Sequence, residues 1–205
     1  MKVWMIAPVM ALLVTACGEV GDGASQSPAE APQEEAAAGP SEAAVAPSLT
    51  GFEHKAGEEL FGYYMPTQAV QVGDYRLDHI HIGDAAAFSA WEAGDRTETY
   101  APVMLEFSDV TSPKMTNELG QEHHANTIRL LPTAYKLGAG DFRFVGSHPD
   151  IGMVVIDGML DLDQLAAERA SNGLPETEAA ALLRTSAQIG PEAYRNLSFY
   201  WFGGD

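Results

Sequence analysis

Hydrophobic and polar residues alternate along much of the chain beyond residue 50. Successive side chains of a β-strand point to opposite faces, so a period of two predicts a strand with one buried face. The clearest case is 102–108, where Val103, Leu105 and Phe107 share one face. The same signal predicts strands at residues 141–144 and 197–201. Residues 152–160 are apolar on both faces apart from Asp157, which predicts a central strand. Further strands are predicted at 75–82, after a turn at 73–74, and at 127–131, which Pro132 interrupts.

Helical signals are fewer. Residues 84–91 begin with Asp84, a residue type that caps helices, and end near Gly94. Residues 161–171 begin with a capping-box-like pair, Asp161 and Gln164. Residues 175–187 begin with proline and acidic residues and form the third predicted helix. Residues 51–205 therefore predict a single, mainly β domain of the α+β class, an antiparallel sandwich or a partly closed barrel with two or three short helices.

The N-terminus has a different pattern. Lys2 precedes the uncharged apolar run from Val3 to Val14. This run is shorter than the roughly 20 residues that a transmembrane helix needs, and it has the length of a signal-peptide core. It ends in Val-Thr-Ala-Cys at residues 14–17, which resembles the lipobox of bacterial lipoproteins.

That resemblance implies that residues 1–16 are a cleaved signal peptide. Cys17 would then carry a diacylglycerol and become the acylated first residue, which makes the membrane a partner through the lipid anchor. Cys17 is also the only cysteine of the chain, so it has no internal disulfide partner. Gly18 follows it where an inner-membrane retention signal would place aspartate. The resemblance thus implies the outer membrane of a two-membrane host.

Residues 17–50 link the lipid to the domain. Residues 18–50 contain no aromatic residue, Lys or Arg, and they are dominated by Ala, Pro, Gly, Ser and six acidic residues. Such a composition cannot bury enough apolar surface to offset its ordering entropy, so it predicts a disordered tether. As a random coil the tether would span roughly 30 Å.

The chain carries 29 acidic and 11 basic residues, for a formal net charge of −18. A phosphate backbone would be repelled by such a surface, so nucleic acid is excluded as a general partner. An anionic bilayer would be repelled as well, so attachment to a membrane requires the lipid rather than surface charge.

Several histidines suggest metal chemistry. His79 and His81 are two apart on a predicted strand, so their side chains share a face. A third ligand would come from His123 or His124, or from His148. Histidine nitrogens suit zinc or copper. The alternative interpretation is that the pair lies on a polar surface and that residues 117–126 are a solvated loop.

Two other constellations have simpler explanations. Asp157, Asp161 and Asp163 share parity and would offer oxygen ligands to calcium, but Asp161 is better placed as a helix cap. The Ser-His-Pro-Asp run at 147–150 predicts a turn, because adjacent residues cannot generally adopt the geometry of a catalytic triad.

Two functions follow for the tethered domain. The favoured one is a non-enzymatic binding or interaction module for a small apolar ligand or an envelope protein. The alternative is a metal-dependent envelope enzyme or metal-binding protein that uses His79, His81 and a later histidine. Convergence of three such side chains on one point would favour the alternative.

Overall fold

A computed structural model of the chain describes residues 49–171 and 180–204. The predicted signal peptide, Cys17 and the tether up to residue 48 lie outside the described residues, as do positions 175–179 of the third predicted helix. The strands are β1 Phe52–His54, β2 Gly62–Pro66, β3 Gln71–Val72, β4 Tyr75–Ile82, β5 Val103–Asp109, β6 Lys114–Thr116, β7 Glu122–His124, β8 Thr127–Leu130, β9 Pro132–Gly138, β10 Asp141–His148, β11 Gly152–Leu160, β12 Leu183–Ile189 and β13 Glu192–Phe202. The helices are α1 Ala85–Glu92 and α2 Leu162–Ala170.

Most of the strands form one large sheet in which all adjacent strands except β1 and β9 are antiparallel. From β9 the pairing passes through β10, β11, β12 and β13 to β2, and then through β4 and β5 to β8. Only Leu131 separates β8 from β9, so the chain itself connects the two ends of this path. β1 pairs in parallel with β9 and extends that edge. The sheet is therefore curled into a partly closed barrel, which confirms the predicted mainly β class.

The predicted alternation places the core. Val103, Leu105 and Phe107 on β5 are completely buried. Large side chains from other strands join them in a single hydrophobic cluster, including the completely buried Tyr64, Phe144 and Phe199. Burial of such a side chain contributes about 1.5–3 kcal/mol to folding. The aromatic volume thus fills the concave side of the sheet.

Two of the three predicted helices are confirmed, with their caps. The Ala87 N–H donates to the Asp84 carboxylate at 2.8 Å, and the Gln164 N–H donates to Asp161 at 3.0 Å. The side chain of Gln164 does not complete a capping box, because it donates to Glu168 at 3.0 Å. Neither helix is long enough and apolar enough to cross a bilayer within the described segments.

The third predicted helix is wrong over residues 183–187. These residues belong to β12, which pairs with β11 on one side and β13 on the other. Leu183, Thr185, Ala187 and Ile189 are buried and alternate with exposed residues. Two ladders of hydrogen bonds and this alternating burial override the helical preference of the Ala-Leu-rich segment.

Candidate functional site

His79 and His81 lie side by side on the outer face of β4. The register of β4 against β5 shifts between Leu77 and His79, so Asp78 is the extra residue of a β-bulge. Beyond the bulge His79 lies opposite Glu106 and His81 opposite Met104, while Ile80 and Ile82 point into the core. The prediction that the two histidines share a face is confirmed.

Aromatic rings surround this pair. The Tyr63 ring centroid lies 5.1 Å from that of His79 and 5.1 Å from that of His81. Phe61 and Tyr100 meet the His81 ring at 6.2 and 5.8 Å, and Phe202 lies 6.3 Å from Tyr63. We call this surface the aromatic–histidine face, consisting of Phe61, Tyr63, His79, His81, Tyr100 and Phe202.

The face has a buried floor and an exposed rim. His81 is only 5% exposed, whereas Phe61, Tyr100 and Phe202 are 38%, 39% and 42% exposed. Solvent therefore reaches three large aromatic rings, two of which contact the His81 imidazole while the third, Phe202, contacts Tyr63. Grouped apolar side chains of this kind mark interaction sites more often than scattered ones do.

Both imidazoles are held in the neutral form near pH 7. Burial, reinforced by the neighbouring His79 and by Arg129, lowers the pKa of His81 to about 4. Burial also lowers the pKa of His79, although Glu106 and Asp78 oppose that shift. The His81 Nδ1 atom is buried and meets no hydrogen-bond partner within the described part of the chain. The floor of the face is therefore uncharged.

Hydrogen bonds fix the backbone beneath the rim. The carbonyl oxygen of Phe61 accepts from the Trp201 indole N–H at 3.0 Å and from the Arg169 guanidinium at 3.2 Å. Arg169 also donates to the Glu59 carbonyl at 3.3 Å. A Cβ on Gly62 would lie 2.1 Å from the Trp201 Nε1 atom, so the close approach of the indole requires glycine there. The rim is thus pre-organised by two elements, α2 and β13.

His123 and His124 lie elsewhere, on the β6–β7 hairpin. They line a polar cleft of about 290 Å³ together with Arg76, Asp78, Ser108, Lys114 and Glu122. The His124 Nδ1 atom lies 3.2 Å from the Ser112 carbonyl oxygen, and Lys114 donates to Glu122 at 3.1 Å. The Ser108 hydroxyl donates to Asp78 at the bulge. The charged groups of this cleft are largely paired with one another.

The predicted three-histidine metal site is not assembled. In residues 49–171 and 180–204, no group of three or more His, Cys, Asp or Glu side chains is arranged to hold a metal ion. His148 lies beside Asp150, whose N–H points to its ring at 3.3 Å. The shared face of His79 and His81 was predictable from their spacing. The positions of His123 and His124, in contrast, depend on the β6–β7 hairpin. That element carried no sequence signal.

The aspartate set and the Ser-His-Pro-Asp run have structural roles. Asp157 forms an ion pair with Arg143 at 3.2 Å, and Asp161 caps α2. Pro149 and Asp150 form the turn between β10 and β11. Three features of the sites were missed from the sequence: the bulge at Asp78, the buried Ser108 and the rim residue Tyr100. For Tyr63-Tyr64, strand parity was an available signal, since one ring must point inwards and the other outwards.

Comparison of the chain with protein-family models, curated proteins and solved structures gives no match.

Proposed function

We propose that this protein is a lipid-anchored envelope protein whose barrel binds a partner protein through the aromatic–histidine face. The observation that carries the proposal is a group of three exposed rings around a buried, uncharged imidazole: Phe61 and Tyr100 meet His81 directly, and Phe202 joins them through Tyr63. The domain is a non-enzymatic interaction module in this account, and the membrane holds it near its partner.

The sequence supports the anchor. The lipobox-like run ending at Cys17 and the acidic Ala/Pro-rich tether favour an exported domain held at a distance from a lipid surface. Gly18 favours the outer membrane. A Cys17→Ser variant tests this part: the lipidated protein should fractionate with the outer membrane, whereas the variant should be released or retained with an uncleaved leader.

Two properties of the face support protein binding. Aromatic residues are enriched in interface cores, and charged residues are depleted there because burying a charge is costly. The face is mostly aromatic, and its two histidines are neutral near pH 7. Its backbone is also fixed by Arg169 and Trp201, which lowers the entropy lost on binding.

The inside of the curl is a poorer candidate. Tyr64, Phe107, Phe144 and Phe199 are completely buried there and fill space that a ligand-carrying barrel leaves open. A small apolar ligand therefore finds exposed ring surface outside the sheet rather than a chamber within it. This contrast favours the outer face as the recognition surface.

Photo-crosslinking in cells tests the binding surface. A photoreactive phenylalanine analogue replaces Tyr100 or Phe202 in the full-length chain, and a matched control carries it at Met153. Met153 is 62% exposed on β11, which β12 and β13 separate from β2. The proposal predicts one discrete protein adduct from both face positions and none from Met153. Equal adducts at all three positions, or none at the face, would refute it.

A further inference from the structure

We propose that the partner segment that docks on the aromatic–histidine face is cationic, an exposed loop or strand bearing arginine or lysine. This inference rests on the proposed function and adds the chemistry of the partner. Its basis is charge complementarity between an acidic protein and a cation, together with ring faces on which a cation can be held.

The net charge of the protein favours a cationic partner. With 29 acidic and 11 basic residues, the protein attracts cations and repels anions over long range. Two guanidinium groups lie beside the face, and each is paired with a carboxylate. Arg129 bonds to Glu106 at 2.9 Å, and Arg169 lies 3.3 Å from Glu59. Each guanidinium is therefore offset by a carboxylate: at His81 the field of Arg129, which disfavours positive charge, is opposed by that of Glu106.

Acidic groups also act on the rim itself. Asp84 contributes to the raised pKa of the Tyr100 phenol, after the larger effect of burial. That phenol therefore stays protonated and uncharged. A cation approaching Tyr100 therefore meets the negative field of Asp84 and the face of a neutral phenol ring. The neutral imidazoles of His79 and His81 add no repulsion.

The aromatic rings supply a short-range attraction for a cation. A guanidinium or ammonium within about 6 Å of an aromatic centroid is attracted to the negative ring face. The described residues already form three such contacts: Arg96 lies 4.4 Å from the Phe52 centroid and 5.6 Å from that of Trp91, and Arg169 lies 5.9 Å from that of Trp201. Across the described part of the chain, no arginine or lysine covers Phe61, Tyr100 or Phe202 in this way. These rings are open to a cation from outside.

A pair of matched peptides tests the charge requirement. One has seven residues in which three arginines alternate with glycines. The other replaces each arginine with citrulline, which keeps the shape and removes the charge. Binding to the full-length protein in detergent is measured by calorimetry at low salt. We expect the arginine peptide to bind at least tenfold more tightly than the citrulline peptide.

A neutral variant separates ring contacts from general attraction. Phe61→Ala/Tyr100→Ser/Phe202→Ala leaves the net charge at −18, so nonspecific attraction to an acidic chain is unchanged. We expect this variant to lose about tenfold in affinity for the arginine peptide. Met153→Ala/Met159→Ala, which removes two exposed methionines from β11, should bind like the unmodified protein. Near-ultraviolet circular dichroism confirms that each variant is folded.

Two results would overturn the inference. If the face variant binds the arginine peptide as tightly as the unmodified protein, the attraction comes from bulk charge and the rings play no part. If the citrulline peptide binds equally well, the face does not select a cation. Either result is separate from the crosslinking outcome: adducts at Tyr100 and Phe202 would still support a docking face, with a partner of different chemistry.

Discussion

The carbonyl oxygen of Leu131 lies 2.7 Å from the point where a Cβ atom on Gly146 would sit. Leu131 is the single residue between β8 and β9, and Gly146 faces it from β10. The bend between β8 and β9, which joins the two ends of the curled sheet, therefore packs directly against Gly146. A Cβ there would also lie 2.4 Å from the Leu130 Cδ2 atom, so the bend leaves no room for a side chain.

Gly146→Ala should lower the free energy of unfolding by roughly 1–3 kcal/mol, the usual cost of overpacking a core. The added methyl group meets a backbone oxygen as well as a side chain, so rotamer changes alone cannot relieve the contact. Urea unfolding followed by circular dichroism measures the effect. Ser147→Ala, at the exposed neighbouring position, is the control and should shift stability by less than about 0.5 kcal/mol. Similar stabilities for both variants would show that the bend has room for a side chain at position 146.

The turn between β9 and β10 carries a residue in an unfavourable conformation. Ala139 has φ 53°, in the left-handed region, and Gly140 follows with φ 85°. Asparagine tolerates this region better than alanine does, and it is preferred at this position of the turn. Ala139→Asn should raise the free energy of unfolding by about 0.5–1 kcal/mol, while Ala139→Val should lower it. Thermal melts of the two variants give opposite shifts of the midpoint if the turn has this geometry. Shifts of the same sign would contradict it.

His81 should make the domain sensitive to mild acid. Its folded pKa of about 4 lies below its ordinary value of 6.5. Below pH 6.5 the unfolded chain therefore binds a proton that the folded chain excludes. The contribution of neutral His81 to stability is complete above pH 6.5 and is lost as the pH falls through 4. For a shift of this size the full difference is roughly 3 kcal/mol.

His81→Phe tests this dependence, because phenylalanine fills the same space without titrating. The loss of stability between pH 7 and pH 4.5 should be smaller in this variant than in the unmodified protein. His123→Phe, on the exposed β6–β7 hairpin, should keep the full loss. Urea midpoints at the two pH values provide the comparison. If both variants lose stability equally, His81 is not the group that resists protonation.

Much of the barrel could be predicted from the distribution of apolar residues, which alternate with polar ones in some strands and form a continuous run in β11. β4 and β11 begin and end at the predicted residues, because both are long and bounded by turn residues. α1 and α2 were predictable from Asp84 and Asp161, whose side chains cap them. Pro132 was expected to interrupt a strand, and β8 does end just before it, at Leu130, while β9 begins at Pro132 itself. The signal marked the right position, but only the sheet shows that the two segments pair with different neighbours.

The remaining features depend on tertiary contacts. β12 has local helix-forming residues, and its state is decided by pairing with β11 and β13. The spacing of His79 and His81 indicates a shared face, but it cannot show that Tyr100 packs against His81 or that His81 is buried. The β6–β7 hairpin holds His123 and His124 in a separate cleft, so their separation from His79 and His81 was not predictable either.

Hydroxyl-radical footprinting of the unmodified protein tests the docking face most directly. Oxidation of Tyr100, Phe202, Met153 and Met159 is measured in intact envelopes and in the purified protein, and each residue is compared with itself. We predict that Tyr100 and Phe202 are protected several-fold in the envelope while Met153 and Met159 are oxidised equally in both. Equal oxidation of Tyr100 and Phe202 in the two preparations would contradict the claim that a partner covers the aromatic–histidine face.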